Sequence, residues 1–237
     1  MYCNNLNNWT CSIIERVPDS YGGIGVAPYS PSSSIAIDSE NNIHLAYWYW
    51  YWNTNSSPMA TGSLKYCNSK NGWKCEIVDS LTRGTMSLVI NPSIAIDNEN
   101  KASIAYGHIQ RSVTLDRNLK YCSFNPDAEE DDEQERWVCK IIDRKNTAGA
   151  YSPAIAIDKN NVAHITHYDS FNTAFRYCNS NGTCKQIGKT SYNEFGRGTK
   201  IAIKKGRLTD NSFSNDVHIV WRSPSELVYS KYFGLAG

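Results

Sequence analysis

The sequence lacks several features that mark common protein classes. No stretch approaches the length of about 18 apolar residues that a membrane-spanning helix needs, and no secretory signal follows Met1. An excess of charge of one sign is also missing, because the net charge is only +1. The charge therefore indicates neither a nucleic acid nor an anionic membrane as the partner. Helical periodicity is absent. These absences favour a β protein, either cytosolic or a mature form without its targeting segment.

What the sequence does contain is a repeated unit of four short runs, most complete between residues 63 and 106. Each run is rich in β-branched and aromatic residues and is bounded by Asn, Asp, Gly or Ser, as antiparallel strands are. The runs cover residues 64–67, 73–79, 93–97 and 102–106. A period of about 50–60 residues built from four strands is typical of a β-propeller blade.

We therefore predict an all-β fold: a single domain over residues 1–237 that forms a small β-propeller of about four blades. The antiparallel strands of a blade are named A to D, starting at the run Ser-Ile-Ala-Ile-Asp. The blades lie near residues 34–79, 93–143, 154–188 and 199–237, the last completed by residues 1–16, so that the N- and C-terminal segments close the ring. The D-to-A and B-to-C connections then share one end of the ring, which we call the loop-rich end.

All eight cysteines fall in pairs at matching places on strands C and D. Metal binding is the alternative, but the pairs lack the C-x₂-C spacing of zinc sites and have no His at a fixed offset. We predict one disulfide in each blade and hence an oxidising compartment, with the protein secreted or at the cell surface. The predicted bridges are Cys3–Cys11, Cys67–Cys75, Cys122–Cys139 and Cys178–Cys184.

The recurrent Ser-Ile-Ala-Ile-Asp, followed by a polar turn and His-x-Ala-Tyr, resembles the blades of secreted microbial β-propellers of the sialidase-like and lectin-like group. The resemblance covers nearly the whole chain and implies the fold more than a function. The Asp-box of that group, Ser-x-Asp-x-Gly-x-Thr-Trp, is missing. The resemblance therefore does not extend to sialidase activity.

The run from Tyr47 to Trp52 alternates Tyr and Trp, so a strand would place the tyrosines on one face and the tryptophans on the other. Strand B should emerge at the loop-rich end near its last two rings, where an aromatic ring can stack on a sugar or a peptide. The D-to-A loops bring further Tyr and Arg side chains to the same end. The predicted ligand-binding residues are Tyr51, Trp52, Arg83, Tyr151, Tyr168 and Arg197. The alternative is that the rings pack between blades and the Arg residues are ordinary surface residues.

Three histidines, His44, His164 and His218, recur at the start of strand B, which indicates a structural hydrogen bond and not a catalytic base. His167-Tyr168-Asp169 is a possible acid–base cluster, although no nucleophile accompanies it. The turns after Asp38 and its counterparts offer too few oxygens for calcium, so hairpin chemistry is favoured there. We predict no metal and no cofactor.

Three functions are compatible with these patterns. The first is an extracellular, lectin-like binding module whose ligand is a glycan or a protein at the cell surface or in the matrix. The second is a structural subunit of a surface assembly, because five C strands compete for four blades and the surplus one can exchange between subunits. The third is a glycoside hydrolase or lyase, which needs two carboxylates about 5–9.5 Å apart. The aromatic surplus favours the binding module over an enzyme.

Overall fold

A computed structural model describes residues 2–3, 11–15, 32–52, 60–80, 86–111, 115–125, 127–128, 136–145, 150–190, 198–207, 213–222 and 227–232. Within these residues the chain is built of β-strands, apart from one turn of 3-10 helix at Ser69–Asn71. The strands form antiparallel sheets of two, three or four members, each made of strands that follow one another in the sequence. The prediction of an all-β fold is confirmed.

Three sheets have the predicted four strands. Sheet 1 holds β3 (Ser33–Ile37), β4 (Ile43–Trp52), β5 (Ala60–Asn68) and β6 (Lys74–Ser80). Sheet 2 holds β7 (Met86–Ile96), β8 (Ala102–Arg111), β9 (Leu115–Phe124) and β10 (Trp137–Lys145). Sheet 3 holds β11 (Ala150–Ile157), β12 (Ala163–Asp169), β13 (Ala174–Asn179) and β14 (Cys184–Lys189). The four strands of each sheet occupy places A to D in chain order.

The last sheet differs from the prediction. Sheet 4 holds only strands A, B and C, which are β15 (Thr199–Arg207), β16 (Phe213–Arg222) and β17 (Leu227–Tyr232). The N-terminal hairpin, β1 (Tyr2–Cys3) with β2 (Cys11–Ser12), is a separate two-stranded sheet. In the described residues the two terminal segments therefore do not pair into one blade, and closure of a ring remains a proposal.

The sheets follow one another in series, and the core lies between them. Strand A of each later sheet contacts the sheet before it: β7 contacts β3, β4 and β5, β11 contacts β7 and β8, and β15 contacts β11 and β12. Because side chains alternate along a strand, each sheet has one face toward the preceding sheet and one toward the following sheet. Ser34 is on the following face of sheet 1, since its Oγ accepts a hydrogen bond from the backbone N of Ile94 at 3.1 Å. Ile35, its neighbour, is therefore on the preceding face.

Three disulfides join strands C and D as predicted, one each in sheets 1, 2 and 3. They are Cys67–Cys75, Cys122–Cys139 and Cys178–Cys184. In the N-terminal hairpin Cys11 is disulfide-bonded, and Cys3 lies opposite it in the register of the two strands. Sheet 4 has Ser230 where the other C strands carry Cys. No helix in the described part of the chain is long and apolar enough to cross a membrane.

A repeated ionic contact links the end of one D strand to strands B and C of the next sheet. A carboxylate accepts hydrogen bonds from a Tyr or His on strand B and from a Lys or Arg on strand C. The groups are Glu15 with Tyr47 and Lys65, Asp79 with Tyr106 and Lys120, and Asp143 with His167 and Arg176. The charged side chains are partly buried, with exposures from 1% to 29%, so water screens these contacts less than it screens a surface ion pair.

Between sheets 3 and 4, the three positions that form this ionic contact elsewhere carry residues without charge. Gly188 stands where the carboxylate would be, and Trp221 and Val228 replace the Tyr and the cation. The Trp221 ring lies so close that a Cβ on Gly188 would come within 2.9 Å of its Cζ2 atom. Glycine is therefore required at this position by packing.

Candidate functional site

The B-to-C hairpins differ in length, so the surface at the loop-rich end is uneven. In β4 and β8, residues 48–52 and 107–111 follow the ionic contact residues Tyr47 and Tyr106, whereas in β12 only residues 168–169 follow His167. At about 3.3 Å per residue, the first two hairpins extend beyond the end of sheet 3 by about 10 Å. The predicted extension of strand B to Trp52 is confirmed for the backbone, which pairs with Ala60.

The turn from β12 to β13 is fixed by a buried carboxylate. Asp169 Oδ1 accepts hydrogen bonds from the backbone N of Phe171 at 3.1 Å and of Asn172 at 3.2 Å, and its Oδ2 accepts from Asn172 Nδ2 at 2.7 Å. The backbone N of Thr190 donates to the Thr173 carbonyl at 2.8 Å, which ties the turn to the end of β14. The Phe171 side chain is 61% exposed on this turn.

Two of the predicted ligand-binding residues come together below this turn. Tyr151 on β11 lies opposite Tyr168 on β12 in the strand register. Both side chains are buried, and the Tyr168 ring packs on Phe175 with centroids 5.3 Å apart. A ligand at the loop-rich end would therefore meet little surface of either tyrosine, and their clearest role is to support the turn.

The other four predicted residues are less completely described. Tyr51 and Trp52 lie in β4, opposite Thr61 and Ala60, but their side chains fall outside the described part of the structure. Arg83 and Arg197 lie outside the described residues altogether. The assignment of the six residues to a ligand site stays a prediction.

The first half of the aromatic run shows the predicted alternation. Trp48 is buried in the core, whereas Tyr47 hydrogen-bonds to Glu15 on the opposite face. Tyr49 is on the same face as Tyr47, and Lys65 Nζ lies 4.3 Å from the centroid of its ring. Burial and the hydrogen bond to the Glu15 carboxylate raise the pKa of Tyr47. Tyr47 and Trp48 therefore contact other parts of the fold, whereas Tyr49 contacts Lys65 of its own sheet.

His167, Tyr168 and Asp169 do not form an acid–base cluster. The His167 Nε2 atom lies 3.1 Å from Asp143 Oδ2 in the contact between sheets 2 and 3, and Asp169 holds the turn. All three side chains are buried. Asp143, Cys178 and Cys184 also form a group of possible metal ligands, but both sulfurs are committed to a disulfide. The arrangement suits structural links better than proton transfer or metal binding.

The recurrent histidines at the start of strand B have the predicted structural role. In sheet 1, His44 Nδ1 lies 2.7 Å from the Tyr66 hydroxyl, and His44 Nε2 lies 3.2 Å from Asp38 Oδ2. His164 makes the same two contacts with Tyr177 and Asp158. Sequence reasoning found the histidines but missed their partners, although the Asp and Tyr recur with the same period and could have been paired by it.

The A-to-B turns show the predicted hairpin chemistry. Asp38 Oδ1 accepts hydrogen bonds from the backbone N of Glu40 at 2.9 Å and of Asn42 at 2.7 Å. Adjacent turns are also joined, because Asn100 Oδ1 accepts from the backbone N and the Oγ of Ser39 at 3.1 and 2.8 Å. The sequence did not predict these links, which hold the end opposite the loop-rich end together.

No protein-family model matches the chain, and no curated protein matches it. Solved structures with a similar arrangement include a protein of unknown function from Dyadobacter fermentans, with a TM-score of 0.50 and 10% identity over 87% of this chain and 61% of that one. A polysaccharide lyase matches with a TM-score of 0.44 and 8% identity, over 86% of this chain and 50% of its own. A fucose lectin from Kordia zhangzhouensis, in complex with methyl-fucoside, matches with a TM-score of 0.33 and 11% identity, over 86% of this chain and 100% of its own.

The chain thus spans only 50% and 61% of the length of the lyase and the Dyadobacter protein. At these identities the likeness concerns the fold alone. Function has to be inferred from the residues of this chain.

Proposed function

We propose that the chain is an extracellular, lectin-like carbohydrate-binding module. The observation that supports the proposal is the hydrogen-bonded β12–β13 turn, which presents the exposed ring of Phe171 at the loop-rich end beside Asn172, an exposed residue whose amide Nδ2 donates to Asp169. The apolar C–H face of a sugar packs on such a ring, while its hydroxyls bond to nearby polar groups. A platform that is already ordered costs little conformational entropy when a ligand binds.

The taller hairpins of sheets 1 and 2 would flank this platform. We propose that Tyr51, Trp52, Arg83 and Arg197 contribute to the same surface, since strand B of sheet 1 and the D-to-A loops reach this end in our sequence interpretation. Tyr168 would act from below, through its packing on Phe175. The disulfides of sheets 1, 2 and 3 are consistent with an extracellular protein.

A glycan array probed with the wild-type chain, Phe171→Ala and Val138→Ala tests the proposal. Val138 is the matched control, because its side chain is 53% exposed but lies on β10 beside the turn that joins strands C and D. We expect Phe171→Ala to lose glycan binding without a change in melting temperature, and Val138→Ala to bind as the wild type does. Wild-type protein that binds no glycan, or Phe171→Ala that binds equally well, would refute it.

The hydrolase or lyase is the weaker candidate. Asp169, the acid that the sequence placed best for catalysis, is fully buried and accepts three hydrogen bonds within its turn. We expect Asp169→Asn to lower the melting temperature and to leave any glycan turnover of the folded protein unchanged. Turnover by the wild type that Asp169→Asn abolishes at unchanged stability would favour the enzyme instead.

We also propose that sheet 4 and an N-terminal hairpin, supplied by the same chain or by a second copy, are two parts of one propeller blade. Sheet 4 supplies strands A, B and C, and the hairpin supplies strands C and D. The hairpin carries the cysteine pair that sheet 4 lacks, which supports this division.

A further inference from the structure

Within the described residues, the first sheet of the series has an uncovered preceding face. Ile35 and Ile37 on β3 are 55% and 63% exposed, whereas the equivalent residues of the next two sheets are buried or, at Ile96, partly buried. Ile94 in sheet 2 is 6% exposed, and Ile155 and Ile157 in sheet 3 are 8% and 6% exposed. The difference arises because the preceding sheet covers these positions in sheets 2 and 3, whereas among the described residues no sheet covers them in sheet 1.

In the part of the chain that the structure describes, the last sheet has an uncovered following face. On β17, Leu227 is 76% and Tyr229 is 58% exposed, and Ala202 on β15, two strands away, is exposed as well. The equivalents of the first two residues in sheets 1, 2 and 3 are all buried. They are Leu64, Leu119 and Phe175 for Leu227, and Tyr66, Tyr121 and Tyr177 for Tyr229. The two ends of one chain thus expose the two surfaces that pack together inside it.

The N-terminal hairpin determines which strands are missing in front of sheet 1. The Tyr2 and Trp73 rings contact each other at 5.2 Å between centroids, as Tyr66 and Trp137 do at 5.0 Å between sheets 1 and 2. Glu15 also binds sheet 1 as Asp79 binds sheet 2. The hairpin therefore occupies places C and D of a sheet that would precede sheet 1. Ile35 and Ile37 face the positions that strands A and B of that sheet would fill.

Strands β15 and β16 are an A and B pair with an exposed following face, so they fit these open places. Their own third strand, β17, would then compete with β1 for place C. Of the two, β1 belongs to a hairpin that carries the cysteine pair, whereas β17 has Ser230 at that position. The exposure of Leu227 and Tyr229 indicates that β17 is also the less covered strand.

We propose that the N-terminal hairpin and the Ile35–Ile37 face of one copy complete sheet 4 of a second copy, where β1 replaces β17. The interface continues the contacts that already join sheets 1, 2 and 3, and it is head-to-tail because the two surfaces differ. Backbone pairing at the edge of β16 and burial of the apolar face would both stabilise it. This assembly does not depend on glycan binding.

Sedimentation velocity of the 237-residue chain over a concentration series tests the assembly. The wild type should associate, and Ile35→Lys/Ile37→Lys on one surface and Ala202→Lys on the other should each stay monomeric. A mixture of the two variants should stop at dimers, because each contributes one intact surface. Val138→Lys is the matched control, since Val138 is an exposed β-branched residue of β10 in sheet 2, outside both surfaces, and it should associate as the wild type does.

Two variants that weaken β17 test the exchange itself. Deletion of residues 227–237 removes the competitor of β1, and Val228→Asp places a charge where Val228 packs on the core, which expels the strand. Both should associate more strongly than the wild type. A monomeric wild type at all concentrations, or variants of Ile35 and Ile37 that associate normally, would overturn the proposal. Hydrogen exchange that shows β3 protected in a monomer would also overturn it, in favour of closure within one chain.

Discussion

Gly188 shows at the scale of one residue how sheet 4 is joined to sheet 3. An added Cβ would lie 2.9 Å from Trp221 Cζ2, closer than such atoms approach in folded proteins. We expect Gly188→Ala to lower the free energy of unfolding by roughly 1–3 kcal/mol, because the ring must shift in a packed core. Urea unfolding measures the change.

Gly198→Ala is the control, because nothing lies within 4 Å of the Cβ position there. The double variant Gly188→Ala/Trp221→Phe should recover part of the loss, since the smaller ring makes room for the methyl group. Equal stability of the two glycine variants would show that the Trp221 ring moves freely.

Asp38 makes the stability depend on pH. Burial raises the pKa of its carboxyl group, but hydrogen bonds from Asn42, His44 and Glu40 outweigh this and lower it from 3.8 to about 2. Because the folded-state pKa lies below the unfolded value, the contribution is complete above the unfolded pKa and is lost as the pH falls toward the folded one. We expect Asp38→Asn to have a flatter loss of melting temperature between about pH 5 and about pH 2 than the wild type. Parallel curves for the two proteins would contradict the assignment.

The sequence predicted a residue's role correctly where the same residue recurs at one position of the repeat. His44 and His164 share one position in the repeat, so a common structural role could be inferred without knowing their partners. Gly188 could not be interpreted this way, because its meaning depends on Trp221 in the next sheet. The sequence pattern places Tyr151 in a D-to-A loop and Tyr168 near the end of strand B, but it does not show that Tyr151 belongs to β11 or that both side chains are buried.

At the scale of the element, the disulfides of the C–D hairpins close loops of different length, so their contributions to stability should differ. Cys122–Cys139 closes a loop with a sequence separation of 17, and Cys178–Cys184 one of 6. On the chain-entropy description, each bridge contributes roughly 2–3 kcal/mol, and the longer loop about 1 kcal/mol more than the shorter one. Replacing both cysteines of a pair by Ala and measuring urea unfolding tests this order, and a larger loss from the Cys178–Cys184 pair would reverse it.

A further prediction concerns the disulfide of the N-terminal hairpin. Because Cys3 lies opposite Cys11, a non-reduced digest should contain a peptide that links these two residues. Mass spectrometry identifies it directly. A bridge from Cys11 to any other cysteine would contradict the prediction, and the three remaining bridges serve as internal controls.

Strand positions were predictable from the sequence because β-branched runs with polar turns recur at a regular spacing. The lengths of β7 and β11 were not, since both begin well before the Ile-Ala-Ile run and pass through a bulge. In each bulge one residue has a positive φ, 47° at both Asn91 and Ser152, and the Asn91 side chain donates to Ser152 Oγ at 3.3 Å. Such a contact joins two sheets and leaves no signal in a single run of residues.

At the scale of the whole molecule, the sheets form a series in which each contacts its neighbours. The links that join the hairpin to sheet 1, sheet 1 to sheet 2 and sheet 2 to sheet 3 are ionic, whereas Gly188, Trp221 and Val228 form an apolar link to sheet 4. Composition and repeat length predict such a series. They do not show whether it closes, because a single strand in place C decides between a ring and an open end.

If the sheets form a linear series, a substitution that weakens the contact between two sheets should destabilise only those two sheets. In Asp79→Asn the ammonium of Lys120 and the buried hydroxyl of Tyr106 lose a charged acceptor, which costs roughly 1–3 kcal/mol. We expect faster amide exchange in sheets 1 and 2, with β15 and β16 unchanged. In Trp221→Phe, the change should be confined to sheets 3 and 4. If both variants instead accelerate exchange evenly in every sheet, the molecule opens as one cooperative unit and the ends must be coupled, as they would be in a closed ring.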